Sequence, residues 1–100
     1  MRIKLHEECA VFGVSLAADE AAGTTYNGLL ALQHRGQEGA GIAVADGNHI
    51  AYLKDVGLVS EVFSSKALAS LPRGRVAVGH ARYSTTGGNV KENVGPFVTE

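Results

Sequence analysis

The triplet Asp46-Gly47-Asn48 constrains this chain more than any other short run in it. Gly47 can adopt positive φ without steric cost, and a tight hairpin loop needs such a residue. Apolar runs flank the triplet, Ile42 to Ala45 before it and His49 to Lys54 after it. The pattern predicts two consecutive antiparallel strands joined by that turn. The remaining segments are then read for what they add to a hairpin.

Cys9 to Ser15 is a short run rich in Val and Phe, suited to a strand with Cys9, Val11 and Gly13 on one face and Ala10, Phe12 and Val14 on the other. Either face can be buried. Asp19 to Gln33 places Ala22, Tyr26, Leu29, Leu30 and Gln33 at helical spacing, with Asp19 and Glu20 suiting the positive end of the dipole and Gly36 expected as C-cap. Gly23 and Gly28 each weaken such a helix by about 1 kcal/mol relative to Ala, so tertiary packing has to hold it. Gly36 to Gly41 reads as a loop. Ser60 is expected to cap a second helix carrying Val62, Phe63, Ala67 and Leu71, stopped by Pro72 and Gly74. Arg75 to Tyr83 is a fourth strand on which Val76, Val78, His80 and Arg82 share a face, so that face has an apolar body and a polar end. Ser84 to Glu100 is rich in Gly, Thr and Asn, contains Pro96 and ends without a closing element. The sum is an α+β chain.

A length of 100 residues allows at most one domain. With 45% hydrophobic residues, 19% charged residues and a net charge of −1, the composition is that of a globular chain, with nothing to attract a nucleic acid or other polyanion. No apolar stretch approaches the roughly 20 residues that span a bilayer. Met1 to Glu8 carries Arg2, Lys4, Glu7 and Glu8 around only Ile3 and Leu5, so it is no secretory signal, and a cytoplasmic location is expected. One cysteine excludes an internal disulfide and a four-cysteine cluster or zinc site built from this chain alone. His6 and Cys9 have ligand-like spacing but lack a second pair, and Gly87-Gly88-Asn89 lacks the Lys and Ser/Thr of a phosphate-binding loop. No metal site is expected.

That single cysteine, Cys9, carries the chemistry. A free cysteine is commonly just a small buried hydrophobe. So near the start of a chain, however, it becomes the N-terminal residue if Met1 to Glu8 is removed. An α-amine titrates near 7.7–8.0, as a rough reference. Near neutral pH it can therefore take the proton of the thiol beside it, and one residue supplies nucleophile and base.

Two further segments follow the cysteine in order. The entrance Glu7-Glu8-Cys9-Ala10-Val11-Phe12-Gly13-Val14, the run Leu32-Gln33-His34-Arg35-Gly36-Gln37-Glu38-Gly39-Ala40-Gly41-Ile42 and the strand end Gly79-His80-Ala81-Arg82-Tyr83-Ser84-Thr85-Thr86-Gly87 together cover most of the chain. They resemble the N-terminal part of the glutaminase domain of the amidophosphoribosyltransferase family, a branch of the class II glutamine amidotransferases with the N-terminal nucleophile hydrolase fold. The Leu-Gln-His-Arg-Gly-Gln wording favours this branch over the glucosamine-6-phosphate synthase branch, where Tyr-Arg-Gly-Tyr-Asp is usual.

The resemblance implies an αββα sandwich, two antiparallel sheets between helices, incomplete in this chain and with Cys9 opening a central strand. Residues 1–8 would be a propeptide and 9–100 the N-terminal portion of the glutaminase domain. Cys9 would be the nucleophile that releases ammonia from glutamine, and Arg82 would bind the glutamine α-carboxylate, a task suited to a planar bidentate donor. Thr85, Thr86 and Gly87 would line the glutamine pocket, and Arg35 and Gly36 would order the backbone beside the nucleophile. Read without the motif, Arg82 is a surface arginine pairing with a local carboxylate, Thr85 to Gly87 a loop, and Gly36 a helix cap. His34 and His80 are assigned to structural hydrogen bonds. The implied activity is glutamine hydrolysis feeding ammonia to phosphoribosyl pyrophosphate to give 5-phosphoribosylamine, the first committed step of purine synthesis.

Departures from the family pattern matter as well. Ala10 stands where the family usually has Gly. The family's Asn-Gly oxyanion segment, the aspartate that grips the glutamine amine and the synthase domain are expected beyond Glu100, so the chain reads as a truncated part of a longer, homo-oligomeric enzyme. Phe12, Val14, Ile42 and Val44 are then expected to be left uncovered. No cofactor is expected in this chain. Mg2+ accompanying phosphoribosyl pyrophosphate, and a 4Fe-4S cluster as an open question, belong to the missing parts. Two other readings stay open: the glutaminase part of another class II amidotransferase, and an inactive remnant acting only as an interaction module.

Overall fold

A computed structural model of the chain describes residues 9–16, 20–33, 37–83 and 94–96. In chain order the elements are β1 (Cys9–Ser15), α1 (Ala21–Leu32), β2 (Gln37–Asp46), β3 (His49–Val56), α2 (Val59–Val62), α3 (Ser65–Ala69) and β4 (Val76–Tyr83). The strands form one antiparallel sheet in the order β1-β4-β2-β3. The predicted hairpin is β2–β3, with Asp46 opposite His49 and Gly47 at φ +63°, the left-handed region that glycine supplies to the first central position of a tight hairpin loop.

The sheet is covered on one face. Phe12 and Val14 of β1, Ala77, Gly79 and Ala81 of β4, and Ala40, Ile42 and Val44 of β2 face α1, and Leu29 and Phe63 complete a core in which these residues are buried or partly buried. Small residues on β4 let the helix sit close: a Cβ on Gly79 would lie 2.6 Å from Thr25 Cγ2 and 2.9 Å from Leu29 Cδ1. Each large apolar side chain so buried contributes about 1.5–3 kcal/mol. That packing explains how α1 tolerates Gly23 and Gly28. Tyr26 meets Phe63 edge to face, with ring centroids 6.4 Å apart.

The opposite face carries Val11, Val76, Val78, Ile50 and Tyr52, all of them exposed, Val11 at 62%. Phe12, Val14, Ile42 and Val44, expected to be left uncovered, instead lie on the helix face. Alternation identifies the two faces of a strand but not which one a helix will cover. Among the described residues β1 is also an edge strand, paired only with β4, where a central strand was expected, and no second sheet occurs.

Three boundaries move. β2 begins at Gln37, so most of the Gly36 to Gly41 stretch read as a loop is strand. Its backbone pairs with β3 on one side and β4 on the other, and its glycines answer a close approach: a Cβ on Gly41 would collide with the Gly95 carbonyl oxygen and come within 2.8 Å of Lys54 Cβ and Pro96 Cδ. These glycines make room for Val94–Pro96 to cross the sheet. α1 ends at Leu32 with Gln33 as C-cap, ahead of Gly36, and Tyr83 Oη donates to the Leu32 carbonyl at 2.7 Å. The helix expected after Ser60 is split into α2 and α3, because Ser64 caps α3 by accepting from the Ala67 amide at 3.2 Å. At the start of α2 the Glu61 carboxylate accepts from the Leu58 amide at 2.9 Å.

Candidate active site

Because β1 and β4 are antiparallel, the first residue of one meets the end of the other. Cys9 is the register partner of Arg82, Val11 of His80 and Gly13 of Val78. On its other side Arg82 is opposite Gly39 of β2, and His80 is opposite Gly41. The register is held by the alternation on β1, since a one-residue slip would move Phe12 and Val14 off α1 and onto the open face. Partners on adjacent strands share a face of the sheet, so positions 9, 82 and 39 form one row at its end. The next row is Val11, His80, Gly41 and Lys54.

Val94–Pro96 lies over these two rows. Val94 is fully buried, and a Cβ on Gly39 would lie 2.7 Å from its Cγ2. The Gly95 amide donates to His80 Nδ1 at 3.1 Å. A backbone amide can only donate, so Nδ1 is an unprotonated acceptor. Burial, then the Arg82 and Lys54 charges, lower the His80 pKa below its ordinary value. The Lys54 ammonium sits 5.8 Å from the centre of the Tyr52 ring. Arg82 and Lys54 give this end of the open face a cationic character suited to a carboxylate.

A second polar group braces the site from the loop side. Gln37 is buried, and its Nε2 donates to the Gly39 carbonyl at 2.7 Å and the Gly57 carbonyl at 2.9 Å. Its Oε1 accepts from the Val59 amide at 2.9 Å, an amide that Gln33 Oε1 also approaches at 3.1 Å. These bonds span an irregularity in which Gln37 faces Tyr83 and Gly39 faces Arg82, leaving Glu38 as an extra residue. Such bulges bend a strand and re-aim its neighbours. The Glu38 carbonyl accepts the Gly57 amide at 2.6 Å. Gln37 thereby ties the start of β2 to Gly57 and Val59, as Tyr83 ties the end of α1 to β4.

Of the expected site residues, the structure brings Cys9 and Arg82 together in one register pair. Arg35, Gly36, Thr85, Thr86 and Gly87 lie outside the described residues, as do His34 and residues 1–8. His80 makes the structural hydrogen bond assigned to its type. Gln37 and Val94–Pro96 were not singled out. The Gln37 network closes across 20 and 22 residues, and no local pattern announces such contacts. Among the described residues no group of three or more His, Cys, Asp or Glu could hold a metal ion, and no helix is long and apolar enough to cross a membrane. A groove between the start of α1 and α3, lined by Glu20, Gly23, Leu68 and Arg73, lies toward the other end of β4 from Arg82.

No protein-family model matches the chain. The amidophosphoribosyltransferase of Mycobacterium tuberculosis is 58% identical over 90 residues, which are 90% of this chain and 17% of that protein. A solved structure of the allosteric regulatory enzyme of purine biosynthesis superposes with a TM-score of 0.78 at 48% identity, covering 87% of this chain and 18% of its own. The glutamine phosphoribosylpyrophosphate amidotransferase of B. subtilis, solved with ADP and GMP, gives a TM-score of 0.73 at 45% identity, again over 87% and 18%. The chain thus spans less than a fifth of the length of the relatives it matches. The fold class is the expected one, α+β of the N-terminal nucleophile hydrolase type, represented among the described residues by one sheet and the helices on one of its faces. Over about nine-tenths of its length the chain is similar to a stretch of the amidophosphoribosyltransferases, the family its motifs resemble.

Proposed function

We propose that this chain is the nucleophile-bearing part of a glutaminase domain, residues 9–100 following an eight-residue propeptide, in an enzyme that hydrolyses the glutamine side-chain amide and passes the ammonia to phosphoribosyl pyrophosphate, giving 5-phosphoribosylamine for purine synthesis. The observation that carries the reading is the pairing of Cys9 with Arg82 across the β1–β4 ladder. The names of the relatives support the same substrates.

In this mechanism the Arg82 guanidinium holds the α-carboxylate of glutamine with two parallel hydrogen bonds. Thr85, Thr86 and Gly87 complete the pocket, and Arg35 and Gly36 order the backbone beside the nucleophile. The Cys9 α-amine takes the thiol proton as Sγ bonds to the amide carbon, forming a tetrahedral intermediate. The resulting ammonium returns that proton to the amide nitrogen, the C–N bond breaks and ammonia leaves. Water then cleaves the thioester to glutamate and frees the thiol.

Mg2+ bound with phosphoribosyl pyrophosphate and a 4Fe-4S cluster find no ligand set among the described residues, and no step here depends on either. The synthase domain, the homo-oligomer and a cytoplasmic location belong to the same proposal. One of the relatives is chloroplastic, so a plastid is the alternative compartment. The test is product formation by the protein as its gene encodes it, assayed with glutamine and with free ammonia. Ammonia release from glutamine that disappears in Cys9→Ser supports the reading, and glutamine-dependent synthesis untouched by that substitution overturns it.

A further inference from the structure

Val94–Pro96 is separated in sequence from the sheet it covers, and one hydrogen bond to a side chain ties it there. His80 sits on the open face two residues before Arg82, opposite Val11 on one side and Gly41 on the other. Its Nδ1 accepts the Gly95 amide at 3.1 Å. Contact is close as well as polar, since a Cβ on Gly95 would lie 3.0 Å from the imidazole Cγ. From this anchor Val94 reaches over Gly39, the β2 partner of Arg82, and Pro96 reaches over Gly41.

We propose that His80 is a positioning residue for glutamine binding: by accepting the Gly95 amide it holds Val94–Pro96 against Gly39 and Gly41, and so fixes the wall beside Arg82. The proposal rests on the glutaminase reading for its functional half. Its structural half, the hydrogen bond itself, stands independently.

A consequence is pH dependence with a definite sign. Protonation puts a hydrogen on Nδ1, where it opposes the Gly95 amide and breaks the bond. Among the described residues the charged groups facing His80 are Lys54 from β3 and Arg82 on β4. From β1 the row contributes Val11, with Cys9 one row away, and β2 contributes Gly39, Gly41 and Ala43. Val94–Pro96 adds no titratable side chain. The charged neighbours among the described residues are thus cationic and, with burial, favour the neutral ring. A histidine whose folded pKa is lowered contributes stability that is complete above its unfolded pKa of about 6.5 and is lost as pH falls through the folded value. The anchor is closed at neutral pH and opens in acid.

The experiment uses the protein as its gene encodes it. NMR of the Gly95 amide and the His80 ring is followed from pH 7.5 downward, and glutamine kinetics are measured on His80→Gln and His80→Ala. Gln offers an acceptor oxygen without a proton to gain. The expected results are a Gly95 amide shift that titrates together with His80, and a glutamine KM raised roughly tenfold in His80→Ala at pH 7.5, as loss of one positioning hydrogen bond implies. His80→Gln should keep KM near the parent value and remove its rise in acid. A Gly95 amide that does not follow the His80 ring, or a KM in His80→Ala equal to the parent's, overturns the proposal. If the parent releases no ammonia from glutamine, the glutaminase reading fails, and the NMR titration still decides whether the anchor exists. If His80→Ala does not fold, the titration and His80→Gln decide it.

Discussion

Cys9 and Arg82 face each other as register partners, one at the first residue of β1 and the other at the penultimate residue of β4. In an antiparallel ladder such partners have Cα atoms about 4.5–5.5 Å apart. A ligand held by its carboxylate at Arg82 therefore extends toward neighbouring backbone, and the amide of a glutamine stands off from its α-carbon by a short aliphatic spacer. The pairing exists because residues 11 to 15 alternate correctly against α1. Core packing on one face of the sheet thus sets the geometry on the other.

Arg82→Lys is expected to weaken glutamine use with little effect on the fold. A lysine keeps the charge and loses the planar fork. One charge-assisted hydrogen bond is worth about 1.5–3 kcal/mol, which corresponds to roughly a ten- to hundredfold fall in kcat/KM for glutamine. Synthesis driven by free ammonia should be unchanged. Steady-state kinetics with both nitrogen sources check this, and unaltered glutamine kinetics would remove Arg82 from the pocket.

The active protein should begin at Cys9. With Glu8 still attached, the nitrogen of Cys9 is an amide and cannot act as a base. Mass spectrometry of active protein is expected to find the mature N-terminus at Cys9, and a mutation that blocks removal of residues 1–8 should abolish glutamine-dependent synthesis while sparing the ammonia-dependent reaction. Full glutamine-dependent activity on a chain that retains Met1 to Glu8 would rule the mechanism out.

Gly23 and Gly28 look equivalent in the sequence, and the structure separates them. A Cβ at Gly23 meets nothing within 4 Å, whereas one at Gly28 would lie 2.5 Å from the Phe12 ring. Gly23→Ala is therefore expected to stabilise the protein by about 0.5–1 kcal/mol, the helix-propensity gain. Gly28→Ala gains the same propensity but forces Phe12 aside, so a net loss of about 1–2 kcal/mol is expected. Thermal melts of the two variants, moving in opposite directions, check the packing of β1 on α1.

Local chemistry made much of this architecture legible. β1 runs from Cys9 to Ser15 as its composition suggests, the Asp46-Gly47-Asn48 turn is a hairpin, and Val76, Val78, His80 and Arg82 share a face. What escaped depends on distant partners. Gly39 and Gly41 have low strand propensity, yet they pair with β3 and β4, and they are glycine because Val94–Pro96 needs the space above them. The break between α2 and α3 is set by the Ser64 cap, and a helical pattern continuous through Phe63 conceals it. For the site, the chemistry of Cys9 and Arg82 singled them out in the sequence, and the β1–β4 register pairs them. Gln37 was not singled out, since a buried amide and an exposed one look alike in sequence.

Gln37→Glu is expected to be more damaging than its size suggests. The two carbonyls of Gly39 and Gly57 that now accept from Nε2 would face a carboxylate oxygen in a buried setting. Leaving buried polar groups unsatisfied costs about 1–3 kcal/mol, and more when a charge is involved. A destabilisation of at least about 2 kcal/mol is expected at neutral pH, with partial recovery in acid as the carboxyl protonates. Denaturant melts at pH 7 and pH 5 measure it. Equal stability of variant and parent at pH 7 would show that the network does not brace the bulge.

Expressed by itself, the 100-residue chain is expected to release no measurable ammonia from glutamine and to self-associate. Its only Asn-Gly pair, Asn27-Gly28, lies inside α1, where the backbone amides serve the helix and cannot hold an oxyanion. Each missing oxyanion donor costs about 2.7–4 kcal/mol, or roughly 10²–10³ in rate. The open sheet face supplies the reason for association: Val11, Val76, Val78, Ile50 and Tyr52 form an exposed apolar surface, and β1 is an edge strand among the described residues. The two faces can be told apart by charge. Val78→Lys with Tyr52→Lys should lower light scattering while leaving the circular dichroism unchanged, whereas Val44→Lys, placed among buried residues, should unfold the chain. The reverse pattern would mean that α1 covers the wrong face, and ammonia release lost on Cys9→Ser would make the short chain an enzyme in its own right.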